Sequence, residues 1–189
     1  PDFETTANAL EHLVPTDVWG LQPLQQRYSQ LLNDDGGIID DLMMIRGRKD
    51  GEIYLIVNAG CKHKDYAWIK QHLPANVTLH TRDDLALVAL QGPEAEAVLA
   101  AHAPSVSTLS FMQAAEIRIG TIAAFVTRSG YTGEDGYEIS VSANDAPALW
   151  DVLLKDAHVK PIGLGARDSL RLESGLCLYG HELDDTTSP

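Results

Sequence analysis

Two adjacent carboxylates, Asp40 and Asp41, interrupt the otherwise apolar run Ile38-Ile39-Asp40-Asp41-Leu42-Met43-Met44-Ile45. Charge inside such a run is costly unless it reaches solvent or a partner. Neighbouring strand residues point to opposite faces, so at most one of the two enters a shared cavity while the other faces away. The competing reading is an edge strand whose charges block aggregation.

A second concentration of polar chemistry runs from Ser129 to Ser140, with three glycines, three acids and two tyrosines in one turn and its following strand. Such a loop can bring backbone and aromatic rings close to a flat ligand. Glu138 alternates with Tyr137 and Ile139, so if those two are core, Glu138 lies on the opposite, solvated face. Farther on, Arg167 and Arg171 stand four apart on one helix face. Their repulsion must be answered by acids such as Asp168 and Glu173, or by an anionic ligand that the planar guanidinium grips with two bonds.

Other patterns are weaker. Gly163-x-Gly165 lacks the third glycine and the preceding strand of a dinucleotide site. Cys61-x-His63 has no second pair at zinc-site spacing, so no metal is expected. Cys61 and Cys177 lack the spacing of a redox pair and read as packed thiols in a reducing compartment. The net charge of -13 disfavours nucleic acid or an anionic membrane surface as partner. No apolar run approaches the length of a membrane span.

The elements that must position these residues follow from periodicity and turns. Phe3, Ala7, Leu10 and Val14 predict a first helix closed by Pro15. Residues 24–32 and 38–45 flank Asn33-Asp34-Asp35-Gly36-Gly37 and predict a hairpin, with a third strand over 52–57. A helix face follows at Tyr66, Ile69 and Leu73; then come two strands, 77–80 and 85–90, and a helix through Leu99. Strands 117–119, 122–127 and 137–141, then helices over 144–154 and 164–174, complete the chain. Strands followed by helix occur twice, which predicts an α+β fold of duplicated antiparallel-sheet and helix subdomains, roughly 1–105 and 106–189, sharing one compact body. Pro1 and Pro189 read as the ends of a piece of a longer chain.

Five stretches taken together resemble the successive motifs of the glycine cleavage T-proteins, the aminomethyltransferases. They are Gly36 to Leu42, Val57 to Cys61, Ala89 to Pro93, Arg128 to Gly136 and Ala166 to Glu173. The resemblance implies a fold of two related subdomains clasping tetrahydrofolate in a central channel, with a further β-rich domain after Pro189. It implies that Asp41 stands at the reacting end of folate, that Tyr131, Glu138 and Arg167 contact the ligand, and that Asn58 lies near the same cavity. A carboxylate such as Glu138 suits the N–H donors of a pterin edge. The implied reaction passes a methylene from the aminomethyl-lipoyl arm of H-protein to tetrahydrofolate and releases ammonia, without a metal. Asp41 would orient the attacking nitrogen, take its proton or stabilise the passing cation.

A bacterial cytoplasm or a mitochondrial matrix would suit such a protein. Arg46, Arg48, Lys49, Lys62 and Lys64 are candidates for a patch that docks H-protein. Alternatives are a folate-dependent transferase of the sarcosine or dimethylglycine type, and a non-catalytic folate-binding protein serving iron–sulfur or tRNA chemistry. Relatives of the latter carry a KGCYxGQE-like motif where this chain has Ser129-Gly130-Tyr131-Thr132-Gly133-Glu134.

Overall fold

The Asn33–Gly37 turn is built by its own side chains. Asn33 Oδ1 accepts from the amides of Asp35 (3.0 Å) and Gly37 (2.8 Å), and Gly36 takes φ +82°. From this turn β1 (Gln26–Leu32) and β2 (Ile38–Arg46) run antiparallel in the computed structural model, which describes residues 1–189. The β3 strand (Ile53–Val57) pairs with the other edge of β2, giving the order β1-β2-β3. The acidic pair therefore sits in the central strand, and the edge-strand reading fails.

Helix α1 (Phe3–Glu11) starts at Asp2, whose side chain accepts from the Thr5 amide, and α2 (Lys62–His72) follows β3. Their apolar faces join the sheet in one core that includes Ala7, Leu10, Val18, Leu21, Leu42, Met44 and Ile69. Residues 177–189 belong to this unit as well. The Ile38 amide donates to the carbonyls of Asp184 (3.1 Å) and Thr187 (3.0 Å), and Gly37 leaves room for the Asp185 carbonyl that any side chain would strike.

The second unit is a four-stranded antiparallel sheet of order β4-β7-β6-β5, with β4 (Leu85–Gln91), β5 (Ala114–Ile119), β6 (Ile122–Thr127) and β7 (Gly136–Ser142). Helices α3 (Ala95–Ala100) and α4 (Ala146–Leu153), with a 3-10 turn at Pro104–Thr108, supply the rest of a core around Leu99, Val106, Val126, Tyr137, Ile139 and Leu149. Helix α5 (Leu164–Glu173) ends the unit with only Arg171 buried.

The α+β class and the duplicated sheet-and-helix units stand, with two adjustments. Residues 77–80 form no strand; the Val77 amide only closes a turn onto the Pro74 carbonyl. The compact units are Pro1–Thr81 with Cys177–Pro189, and Arg82–Leu176, instead of halves meeting near residue 105. The cause is β4, which pairs along its whole length with β7, Leu90 against Tyr137, and so carries its flanking residues into the second unit.

The two units repeat one local construction. Leu24 and Met112 are the two non-glycine residues with positive φ, both +62°. The Leu24 amide donates to the Arg46 carbonyl and the Met112 amide to the Arg128 carbonyl, at 2.8 and 2.9 Å. Arg46 Nη1 bonds the Leu21 carbonyl and Arg128 Nη1 the Leu109 carbonyl, both at 2.9 Å. The side chains of Gln25 and Gln113 cap the amides of Gln22 and Ser110, both at 2.9 Å. A left-handed backbone at a bulky residue costs about 1–2 kcal/mol, and in each unit the same arginine and glutamine hold it in place.

Candidate functional site

Strand alternation separates Asp40 from Asp41 as the sequence requires, and each is then met by different elements. Asp41 pairs across the sheet with Gln30, next to Tyr28 opposite Met43, so these four share a face. Tyr28 Oη donates to Asp41 Oδ2 at 3.1 Å. Asn58, one residue beyond β3, turns its amide back over β2 and donates from Nδ2 to Asp41 Oδ1 at 2.5 Å and to Asp40 Oδ1 at 2.9 Å. The structure thus brings together Asp41 and Asn58, the two site residues expected in the first unit.

Burial pushes the Asp41 carboxyl above the usual carboxylate range, and the charge of Asp40 adds to this; the bonds from Asn58 and Tyr28 work against it by favouring the ionised form. Burial and the Asp41 charge together push the Tyr28 phenol up, so it remains a hydrogen-bond donor at any physiological pH. Such a carboxylate, half-buried and held at both oxygens, is placed to accept a proton from a ligand nitrogen or to stabilise a cation.

Asp40 faces the core. It is 1% exposed and lies against Asp65, which α2 presents from beneath the strand at 0% exposure. Next to them Lys64 Nζ donates to the Ile39 carbonyl (2.5 Å) and to Tyr179 Oη (2.9 Å), with its charge over the Tyr179 ring. Burial alone would lower the lysine's pKa, but the bond to Tyr179 and the neighbouring acidic groups leave it raised.

In the second unit Tyr137 and Ile139 are fully buried, and Glu138 projects from the other face of β7, half-buried. It is oriented there: Ser129 Oγ donates to Glu138 Oε2 at 2.8 Å, and the buried Thr127 hydroxyl holds Ser129 at 2.8 Å. Register places Ala89 opposite Glu138, Leu87 opposite Ser140 and Leu85 opposite Ser142, so the exposed leucines extend an apolar surface on the face that carries the carboxylate. Tyr131 lies under the guanidinium of Arg167 at 4.3 Å, a cation–π stack that joins the glycine-rich loop to α5. Arg171, four residues on, is buried and answered by Asp168 at 2.9 Å.

The glycines of the loop serve the fold before any ligand. Any side chain at Gly130 or Gly136 would collide with the Gln91 amide, whose Nε2 donates to the carbonyls of Ser129 (3.0 Å) and Tyr137 (3.2 Å). Gly133, at φ +76°, also gives way to Ser174 Oγ. Arg128 anchors the loop base with Asp135 (2.6 Å) and Glu96 (2.7 Å).

Sequence reasoning missed Tyr28, Asp65 and Ser129 as parts of these constellations. Counting register outward from the Asn33–Gly37 turn would have set Ser29 opposite Asp41; the register shift between Leu31 and Leu32 moves the pairing by one residue, puts Gln30 opposite Asp41 and brings Tyr28 onto the same face. Cys61, Asp65, Ile69 and Leu73 fall on one helical stripe, where a carboxylate among apolar residues marks a buried acid. Of the basic residues considered for a docking patch, Arg46 stacks on Phe3 at 3.5 Å and bonds the Leu21 carbonyl, and the exposed Lys64 is bonded to Ile39 and Tyr179, so these two also carry contacts within the unit. No helix is long and apolar enough to cross a membrane.

Residues 4–189 match the family model described as the GCVT N-terminal domain. The chain is 47% identical over 189 residues to an aminomethyltransferase of Synechococcus elongatus, covering 96% of this chain and 50% of that protein. It is 41% identical over 190 residues to a probable mitochondrial aminomethyltransferase of Schizosaccharomyces pombe, covering 98% and 49%. The crystal structure of glycine cleavage system aminomethyltransferase T from Bartonella henselae superposes with a TM-score of 0.86 at 39% identity, over 100% of this chain and 51% of that one. The chain spans about half the length of the curated relatives it matches. With the matched region taking in both units and every residue of the two constellations, the chain belongs to the GCVT N-terminal domain family, the family of these aminomethyltransferases.

Proposed function

We propose that this chain is the folate-binding part of an aminomethyltransferase of the glycine cleavage system, which moves the methylene of an aminomethyl-lipoyl group on H-protein to tetrahydrofolate with release of ammonia. The observation that carries the reading is Asp41: a carboxylate of raised basicity, gripped by Asn58 and Tyr28 on the face of a central strand. Loss of the amine leaves an electron-poor carbon, and the attacking folate nitrogen must shed a proton before the ring closes. Asp41 accepts that proton or steadies the cation, while Asn58 and Tyr28 fix its direction.

Glu138, fixed by Ser129, accepts hydrogen bonds from the N–H edge of the pterin, and Leu85 and Leu87 offer that ring an apolar surface. Arg167, stacked on Tyr131, answers an acceptor or carboxylate of the folate. H-protein is the partner that presents the aminomethyl group, and no metal takes part.

The test is made on the full-length protein supplied with aminomethylated H-protein and tetrahydrofolate. Ammonia and methylenetetrahydrofolate should appear together in equal amounts. Folate binding without either product would assign the chain to the non-catalytic folate binders instead.

A further inference from the structure

Asp40 and Asp65 place two carboxyl groups in the core of the first unit, at 1% and 0% exposure. Asp40 Oδ2 and both oxygens of Asp65 are buried with no N–H or O–H donor against them. Two ionised carboxylates in that position would repel each other with three of their four oxygens unsatisfied, a strongly unfavourable state. The surroundings offer only partial relief, through the charge of Lys64. From α2, Lys64 spends its ammonium on the Ile39 carbonyl and Tyr179 Oη. At the start of the helix Cys61 lies beside Asp40, with its thiol pushed up by burial and by that carboxylate. From β2, Asp41 adds a further negative charge. Asn58 donates to Asp40 Oδ1 and the Cys61 thiol is a weak donor to Asp40, while neither oxygen of Asp65 has a donor.

We infer that Asp40 and Asp65 share a single proton, and that the pair is a positioning device for Asn58 and through it for Asp41. One proton between the facing carboxyls supplies the missing donor and removes one of two adjacent charges. The direction of Asp65 agrees: burial, then its bond to Asp40 and the charges of Asp40 and Asp41, push it up to about 7 against the pull of Lys64.

The consequence runs along the chain of bonds. The Asn58 amide nitrogen serves Asp40 Oδ1 and Asp41 Oδ1, so its orientation is set and its own oxygen points away from both acids. While the proton is shared, Asp40 is a fixed acceptor and Asn58 is anchored. Once the proton is lost, Asp40 and Asp65 repel, and the anchor that aims Asn58 at Asp41 loosens. The inference rests on the catalytic reading of Asp41, and the experiment separates the two.

The full-length enzyme is labelled with 13C at the aspartate side-chain carboxyl and titrated by NMR, beside single-turnover transfer measured across pH. The wild type should show an aspartate carbon titrating near 7 and an alkaline fall in transfer with the same midpoint. Asp65→Asn, which keeps a donor for Asp40 and cannot ionise, should lose both the titration and the alkaline fall. A wild-type spectrum with no aspartate carbon titrating between about pH 6 and 8 overturns the shared proton, folding of any variant aside. Loss of the titration in Asp65→Asn with the alkaline fall intact overturns the positioning role. Failure of the catalytic reading looks different: Asp41→Asn would transfer at the wild-type rate while the titration near 7 persisted, which also ends the positioning role but leaves the proton in place.

Discussion

Asn58 Nδ2 stands 2.5 Å from Asp41 Oδ1 although Asp41 lies within β2 and Asn58 one residue beyond β3, and the same nitrogen holds Asp40 from 2.9 Å. One amide thus ties together two acids that strand alternation sends to opposite faces. The asymmetry between them has a direct test. Asp41→Asn should lower single-turnover transfer about a hundredfold to ten-thousandfold, the usual cost of a lost general base. Its raised basicity means the ionised side chain is held at a cost, so the same variant should unfold no earlier than wild type. Asp40→Asn, measured at or below neutral pH, should slow transfer much less. A larger loss in Asp40→Asn at equal folding would reverse the assignment of the two faces.

The pH dependence of stability follows from Asp65. Its folded value of about 7 lies above the ordinary carboxylate value near 3.9 in the unfolded chain. Between those pH values the native state binds the extra proton, so stability is greatest at the acid end of the window and falls as pH rises, levelling off above about 7. The slope should not exceed about 1.4 kcal/mol per pH unit for one proton. Chemical denaturation of the full-length protein from pH 5 to 8 measures it, and Asp65→Asn should flatten the curve. A rise in stability across that window would contradict the direction assigned to Asp65.

Ser129 is a second-rank contributor whose role can be isolated. Ser129→Ala removes the donor that orients Glu138 and should weaken tetrahydrofolate binding by about 1 kcal/mol, roughly fivefold, while leaving kcat close to wild type. Glu138→Gln removes the charged acceptor itself and should cost about 1.5–3 kcal/mol. Calorimetric titration with tetrahydrofolate checks the order. Equal losses in the two variants would indicate that Ser129 does more than aim the carboxylate.

Arg46 and Arg128 occupy matching places in the two units, and both carry structural bonds to a loop carbonyl at 2.9 Å. Arg128→Ala also strands Asp135 and Glu96, so it should cost about 2–4 kcal/mol, against about 1–2 kcal/mol for Arg46→Ala. The bond from Arg128 holds the Asp135 carboxyl below its usual value. That part of the stability is present at neutral pH and is lost as pH falls through the lowered Asp135 value. Urea denaturation of each variant decides the ranking.

Local chemistry in the sequence was sufficient for the hairpin at Asn33–Gly37, for the opposite faces of Asp40 and Asp41, and for Glu138 standing opposite the buried Tyr137 and Ile139, because turn residues and side-chain alternation act within a few residues. The motifs from Gly36 to Glu173 likewise pointed to the family before any fold was drawn. Tertiary structure alone decided the rest. That β2 is a central strand, that β4 joins the second unit through Leu90 and Tyr137, and that α2 brings Asp65 under Asp40 are choices of partner across long stretches of chain. Periodicity tells which face of an element is apolar but is silent on which other element covers it. The proton between Asp40 and Asp65 has the same origin, since an aspartate acquires an unusual affinity for a proton only when distant residues exclude water and set a second carboxylate against it.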